Sequence, residues 1–348
     1  MQSTHSVKAA LLTLLIVIAF FALWEAYLRS KGMKITYDDG KELWSYQRSR
    51  VYAPSDKATV FIGSSRIKFD LDIPTWEKLT GEEAIQLAKE GTSPLPVLDN
   101  LAADEKFRGK LIVDVTEGLF FSDNPQNTNE PLSFVSYYKK QTPSEKASFL
   151  LDRGLESQLV FLDRGTYSLN SFLEKLELKN RPGVFSFPVF PAEFNRNDFN
   201  RQSYMLDGFV ADTNLQKKVT NIWQYFASIN KTPPASGKKL DSFFTVIKKD
   251  VDQIRARGGQ VIFVRSPSSG PYWMGEQKGY PREKYWDRLL SLTHTQGVHF
   301  KDYPGMDHFV CPEWSHLSPK DAVVYTQHLV AALQEKGWTF SNKTLAHR

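Results

Sequence analysis

Past residue 30 the chain alternates short apolar runs with amphipathic stretches. The runs at 60–62, 84–88, 111–115, 261–264 and 299–300 are bounded by turn-formers or charges, which predicts strands. Helical periodicity predicts helices over 94–103, 144–152, 215–229, 238–256, 282–293 and 319–335. Strands separated by helices make βαβ units, so the expected class is α/β, with a central parallel sheet covered on both faces. Residues 237–267 display one such unit: an amphipathic helix stops at Gly258-Gly259 and a buried strand follows. From Phe120 to Pro234 the rhythm breaks into segments rich in Phe, Asn, Pro and Tyr. That stretch is expected to be a helical and loop insertion, at about 120–236, within an α/β domain spanning 55–340. Pro182, Pro188 and Pro191 argue against regular structure there. No internal repeat is visible.

The first thirty residues follow another rule. Residues 9–24 carry no charge, and the apolar run continues to Leu28 with Glu25 as its one interruption. About 20 such residues cross a bilayer as a helix. Trp24 and Tyr27 fall where an interfacial aromatic belt lies. A cleavable signal peptide has a shorter apolar core and ends in small residues, whereas Phe-Ala-Leu-Trp-Glu-Ala-Tyr is bulky, which favours an uncleaved signal anchor over 1–30. Lys8 precedes the span and Arg29, Lys31 and Lys34 follow it, a count that favours a cytoplasmic C-terminal side. A short tail ahead of a large domain is the build of an exported, anchored protein. The expected arrangement is therefore a single-pass membrane protein with a linker at 31–54 and an exported domain, periplasmic or extracellular.

Composition narrows the classes. The 348 residues are 41% hydrophobic and 13% aromatic, enough for a sizeable core, which excludes a mainly disordered chain. The net charge is +5, but Lys and Arg are scattered and the longest basic runs are pairs such as Lys248-Lys249, which argues against a nucleic-acid partner. Cys311 is the single cysteine, so neither an intramolecular disulfide nor a Cys-based zinc site is available. The spacing of His308, Cys311 and His316 fits no common zinc pattern, and no metal or cofactor is expected.

In an open parallel sheet, sites form beyond the carboxyl ends of the strands. The residues at those ends are Gly63-Ser64-Ser65-Arg66, Glu90-Gly91-Thr92-Ser93, Thr116-Glu117-Gly118 and Arg265-Ser266-Pro267. Near the C-terminus, Ser318 reads as an N-cap, Pro319 as the first helical residue and Asp321 as the capping-box acid, so His316 lies just ahead of a well-fixed helix. Glu313 is three residues earlier, a spacing at which a turn brings the carboxylate onto the imidazole and leaves the far nitrogen free. A nucleophilic serine needs such a base and such an orienting group. Taken singly, Ser65 reads as a turn serine and Glu313 with His316 as a surface pair. Tyr272, Trp273, Tyr285 and Trp286 follow the fourth strand, either as packing residues or as platforms for sugar rings. Arg66 and Arg265 stand either to bind an anionic group or to pair with acids at the sheet rim.

Together, Gly63-Ser64-Ser65, Gly91 and Glu313-x-x-His316 resemble the motif blocks of the SGNH (GDSL-type) hydrolase superfamily, over about 55–120 and 240–336. The resemblance implies a flavodoxin-like three-layer fold. It implies Ser65 as nucleophile, with Ser64 where the family has aspartate, and His316 as base. Glu313 then stands in place of the family's aspartate, and the N–H groups of Ser65 and Gly91 form the oxyanion hole. It further implies acyl transfer or deacylation on an acylated carbohydrate or similar cell-envelope polymer, with a membrane-bound acyltransferase as a candidate partner. The family's third block carries a Gly-x-Asn that completes the oxyanion hole; here the segment after the third strand is Thr116-Glu117-Gly118, with no Asn before Asn124. Each missing donor costs a few kcal/mol of transition-state stabilisation. The alternative expectation is therefore a catalytically impaired accessory or binding protein of an envelope assembly.

Overall fold

The computed structural model describes residues 2–163, 167, 169, 173, 188–230 and 232–342. It divides into two compact units: residues 1–38 with 142–189, and residues 39–141 with 190–348.

The larger unit is built on five parallel strands: β1 (Ala58–Ile62), β2 (Glu83–Gln86), β3 (Lys110–Asp114), β6 (Gln260–Arg265) and β7 (Gly297–His299), with a small antiparallel pair, β4 (Arg196–Asn197) and β5 (Ser203–Tyr204). The sheet order is β2-β1-β3-β6-β7, with Val60 opposite Ile85 and Leu111, Ile112 opposite Ile262, and Val264 opposite Val298. The strand residues alternate between two separate cores, as the two-residue period of a strand demands. Val60, Ile62, Leu111, Val113, Val261 and Phe263 face one core, with the helices Leu95–Ala102, Gly237–Ala256 and Trp286–Thr293. Phe61, Ile112, Ile262, Val264 and Val298 face the other, with Ile73–Thr80 and Pro319–Glu335. The unit is a three-layer α/β sandwich; the apolar runs in the sequence mark its first four strands, while the fifth, expected at 299–300, lies at Gly297–His299 and Phe300 opens a 3-10 turn.

From β1 the chain moves outward to β2, then returns across β1 to β3 and continues the other way. Strand order therefore reverses between β1 and β3, which opens a crevice beyond their carboxyl ends. Ser65 begins the helix Ser65–Asp70 directly after β1, on the rim of that crevice.

Some boundaries differ from those expected. The 31–54 segment is not a simple linker: it holds the helix Lys41–Ser49, whose Leu43, Trp44 and Arg48 are buried. Trp44 reaches Phe134 of the helix Pro125–Lys140, and its indole N–H donates to the Leu87 carbonyl (2.9 Å). Polar neighbours on Lys41–Ser49 hide this apolar face from a reading that looks for long apolar runs. The expected 120–236 insertion is only partly separate, since residues 120–141 and 190–235 pack into the larger unit. Arg201 anchors the latter stretch, donating to the carbonyls of Gln86 and Ala88 (2.8 and 3.0 Å) and pairing with Asp39. Pro188 and Pro191 lie outside helices and strands, as expected; Pro182 falls outside the described residues.

In the smaller unit, the N-terminal helix Gln2–Ser30 is long and apolar enough over His5–Ser30 to cross a membrane. Glu25 accepts the N–H groups of Val160 and Phe161 (2.9 and 3.1 Å), and Arg29 donates to the Gln158 carbonyl (2.8 Å).

Asp250, on Gly237–Ala256, is 1% exposed and neither carboxylate oxygen has a hydrogen-bond partner among the described residues. Burial, and then repulsion from Asp99, pushes its pKa up to about 6. A carboxyl raised in the folded state binds more protons folded than unfolded, so its stabilising contribution is present at low pH and declines as pH rises from about 4 to about 6. Asp250→Asn is expected to raise stability at neutral pH by up to about 2 kcal/mol and to flatten the pH dependence across that window, read by denaturant unfolding at a series of pH values.

Candidate active site

The turn after β1 has no room for a side chain at residue 63. A Cβ on Gly63 would lie 2.7 Å from both the Asp114 Cβ and the Ile67 Cγ2. Glycine lets the chain pass close over the end of β3 and start a helix at once. Ser65 is that helix's first residue, so its N–H has no carbonyl partner within the helix.

Ser65 and His316 meet: Oγ lies 2.7 Å from Nε2. Glu313 Oε1 is 2.8 Å from the His316 Nδ1 and 2.7 Å from its backbone N. An ionised carboxylate only accepts, which places the ring hydrogen on Nδ1 and leaves Nε2 to accept the Ser65 O–H. Glu313 is fully buried and His316 nearly so. The turn between them is tight, with Trp314 in the left-handed region at φ 78°, a conformation uncommon for a bulky residue. Bonds from Trp314 N to the Cys311 carbonyl (3.1 Å) and from Ser269 N to the Trp314 carbonyl (2.9 Å) hold it there. The helix after the turn has the expected N-cap, Ser318 Oγ with the Asp321 N–H (3.2 Å), and Pro319 as its first residue, but the Asp321 carboxylate meets the Ser318 hydroxyl (2.8 Å) and not its backbone N–H, so the expected capping box is only half formed.

Two contacts brace this series from outside the motif blocks, one on Glu313 itself and one on the residue after His316. The Trp223 indole N–H, on the helix Thr213–Ile229, donates to the second oxygen of Glu313 (2.5 Å). Asp70, at the end of the Ser65 helix, accepts the N–H of Leu317 (2.9 Å), tying the histidine segment to the serine segment. Burial pushes the Asp70 pKa well up. Phe69, Phe194 and Trp223 surround the imidazole, the nearest ring centroid, that of Phe69, at 4.5 Å. No sequence motif marks Trp223; the one available signal is an indole amid an otherwise amphipathic helical pattern.

Gly91 lies in the loop after β2 at φ 66°, where glycine is favoured, and its carbonyl accepts from the Asn127 side chain (3.0 Å). The loop starts beside the serine turn, with Lys89 N 3.4 Å from the Gly63 carbonyl. Next to Gly91, the Glu90 carboxylate pairs with Lys68 and Lys89. Burial works to raise the Glu90 pKa, but these two cations outweigh it and hold the group well below the usual range.

Arg66 and Arg265 take the second of their two expected arrangements. Both are buried and both pair with Glu276, of the helix Gly270–Gly279; Arg265 also donates to Glu117 (3.0 Å). The Glu276 pKa, which burial alone would raise, is brought down to about 2 by the two guanidiniums. Glu117, in place of the expected amide donor, is thus met by a cation. Tyr285 and Trp286 are core residues rather than sugar platforms: both are almost fully buried, and the Tyr285 O–H donates to the Ala235 carbonyl (2.7 Å). Burial lowers the His299 pKa to about 3, so that imidazole is neutral, and His308 is exposed. Among the described residues no cluster of His, Cys, Asp and Glu is arranged to hold a metal ion. Comparison with protein-family models and with curated proteins finds no match.

Two substitutions probe this geometry. Gly63→Ala is expected to destabilise the fold by about 1–3 kcal/mol through overpacking against Asp114 and Ile67, read as a lowered denaturant midpoint. Trp223→Phe keeps an aromatic ring but removes the pyrrole half of the indole and with it the donor to a buried carboxylate, and is expected to cost about 1–3 kcal/mol in the same measurement.

Proposed function

We propose that the protein is an SGNH-type serine esterase or O-acyltransferase. The observation that carries this reading is the continuous hydrogen-bonded series from Ser65 Oγ through His316 to Glu313. In the reaction, Ser65 Oγ attacks the carbonyl carbon of an ester while His316 Nε2 takes its proton. The carbonyl oxygen becomes an oxyanion, held by the N–H groups of Ser65 and Gly91. Glu313 offsets the positive charge that forms on the imidazole, and Trp223 keeps Glu313 in register. Collapse of the intermediate expels the alcohol, which leaves with the proton from His316, and the acyl group remains on Ser65. Water or an acceptor hydroxyl then gives its proton to His316, attacks the acyl-serine and releases Ser65 by the reverse steps.

The substrate class we favour is an acylated envelope polysaccharide or similar polymer, met by an exported domain on a membrane anchor, with a membrane-bound acyltransferase as partner. This part rests on the superfamily resemblance and on the apolar N-terminal helix. A second reading, a binding or scaffolding protein with impaired catalysis, is favoured by one observation: Glu117, paired with Arg265, occupies the block where the family supplies an amide.

The full chain in detergent, assayed on a short acyl ester, separates the two. Ser65→Ala is expected to remove the activity, and Glu313→Gln to lower kcat by about 10³-fold or more with the fold retained. Hydrolysis by Ser65→Ala equal to that of the parent chain overturns the nucleophile assignment, and no hydrolysis by the parent chain on any short ester supports the scaffolding reading.

A further inference from the structure

The helix Pro143–Glu156, in the smaller unit, is turned inside out. It has a capping box at Thr142 and Glu145 and a well-separated apolar face, yet none of its residues is buried. Ala147, Leu150, Leu151 and Leu155 share that face, and the three leucines are 56%, 72% and 56% exposed. The less exposed stripe is the opposite one, Glu145, Phe149, Arg153 and Glu156, spaced four, four and three residues apart. In water this arrangement exposes what the hydrophobic effect would hide.

Its neighbours say what covers it. Two residues past its end, Gln158 accepts from Arg29, and Val160 and Phe161 donate to Glu25. Phe161 stacks on Phe21 at 5.1 Å. Leu159 and Phe161 join Val17, Ile18, Phe21 and Ala22 in lining one apolar groove of about 560 Å³ on the N-terminal helix. The segment that follows the leucine helix therefore docks on the apolar surface of the helix that is read as crossing the membrane, along Phe21 to Arg29, the stretch that holds Trp24 and Tyr27, the aromatics expected at a lipid–water boundary.

We infer that Pro143–Glu156 lies in the membrane surface as an interfacial amphipathic helix, with Leu150, Leu151 and Leu155 among the lipid headgroups and upper acyl chains. The occupant of the leucine face is the bilayer itself. The charges of the helix, Glu145, Lys146, Asp152, Arg153 and Glu156, nearly cancel, so burial of apolar area rather than attraction to anionic lipid drives the insertion. The inference rests on the reading of Gln2–Ser30 as a membrane anchor.

The test uses the full chain in phosphatidylcholine vesicles with an environment-sensitive thiol label at Leu14→Cys, Leu151→Cys or Asp152→Cys in turn; the native Cys311 is buried. Quenching is read with iodide in the water and with spin-labelled lipids at shallow and deep positions. The expected result is deep-lipid quenching at position 14 and shallow-lipid quenching at position 151 about threefold stronger than at position 152, with iodide showing the reverse order. Lipid quenching at 14 with equal iodide quenching at 151 and 152 overturns the inference and leaves the anchor standing. Protection of 151 from both iodide and lipid means a protein covers that face and also overturns it. Iodide quenching at 14 removes the anchor and the inference together.

Discussion

A buried contact, the Leu317 N–H on the Asp70 carboxyl, joins two pieces of chain that are remote in sequence. Asp70 closes the helix that Ser65 opens, and Leu317 follows His316 directly. The contact ties the strand-β1 turn to the loop before the last helix, where Ser65 and His316, 251 positions apart, meet at 2.7 Å. The two segments are stitched again by Thr326, whose hydroxyl accepts the Asp72 N–H (2.8 Å). A six-residue helix and a turn strained at Trp314 would hold no such alignment alone.

Around this clamp the sheet's carboxyl edge carries buried charges that compensate one another. Glu276 bridges Arg66 and Arg265, while Lys68 and Arg201 share Asp39. Burying ions costs several kcal/mol each, so such pairs add little net stability, and removing one partner strands the other. What they supply is geometry. Lys68 is on the serine helix and Glu90 beside Gly91, so their pairing holds the proposed oxyanion donors to one scaffold. The same network explains why Arg66 and Arg265, exposed to view in the sequence as cations at strand ends, are structural in position.

Much of this was legible in the order of residues. Strands β1, β3 and β6 are short apolar runs, and alternation of Val60, Phe61 and Ile62 between two cores follows from strand geometry alone. Ser65, Glu313 and His316 stood out because glycine and capping signals fix the backbone on either side of them. Trp223 did not, because its role depends on where a helix from a Pro- and Phe-rich stretch comes to rest. The helix Lys41–Ser49 was also hidden, since Arg48 reaches its buried place through partners at Asn100 and Asp104 that no local pattern foretells. Tertiary pairing decided those positions and local propensity did not.

The central claim is that Ser65 is made nucleophilic by His316. The most direct measurement is peptide mapping by mass spectrometry after exposure of the full chain to a fluorophosphonate, in the parent and in His316→Asn. The account predicts one phosphonylated residue, Ser65, in the parent, and loss of that adduct in the variant. An unmodified Ser65, or an adduct there that forms equally well without the imidazole, contradicts it.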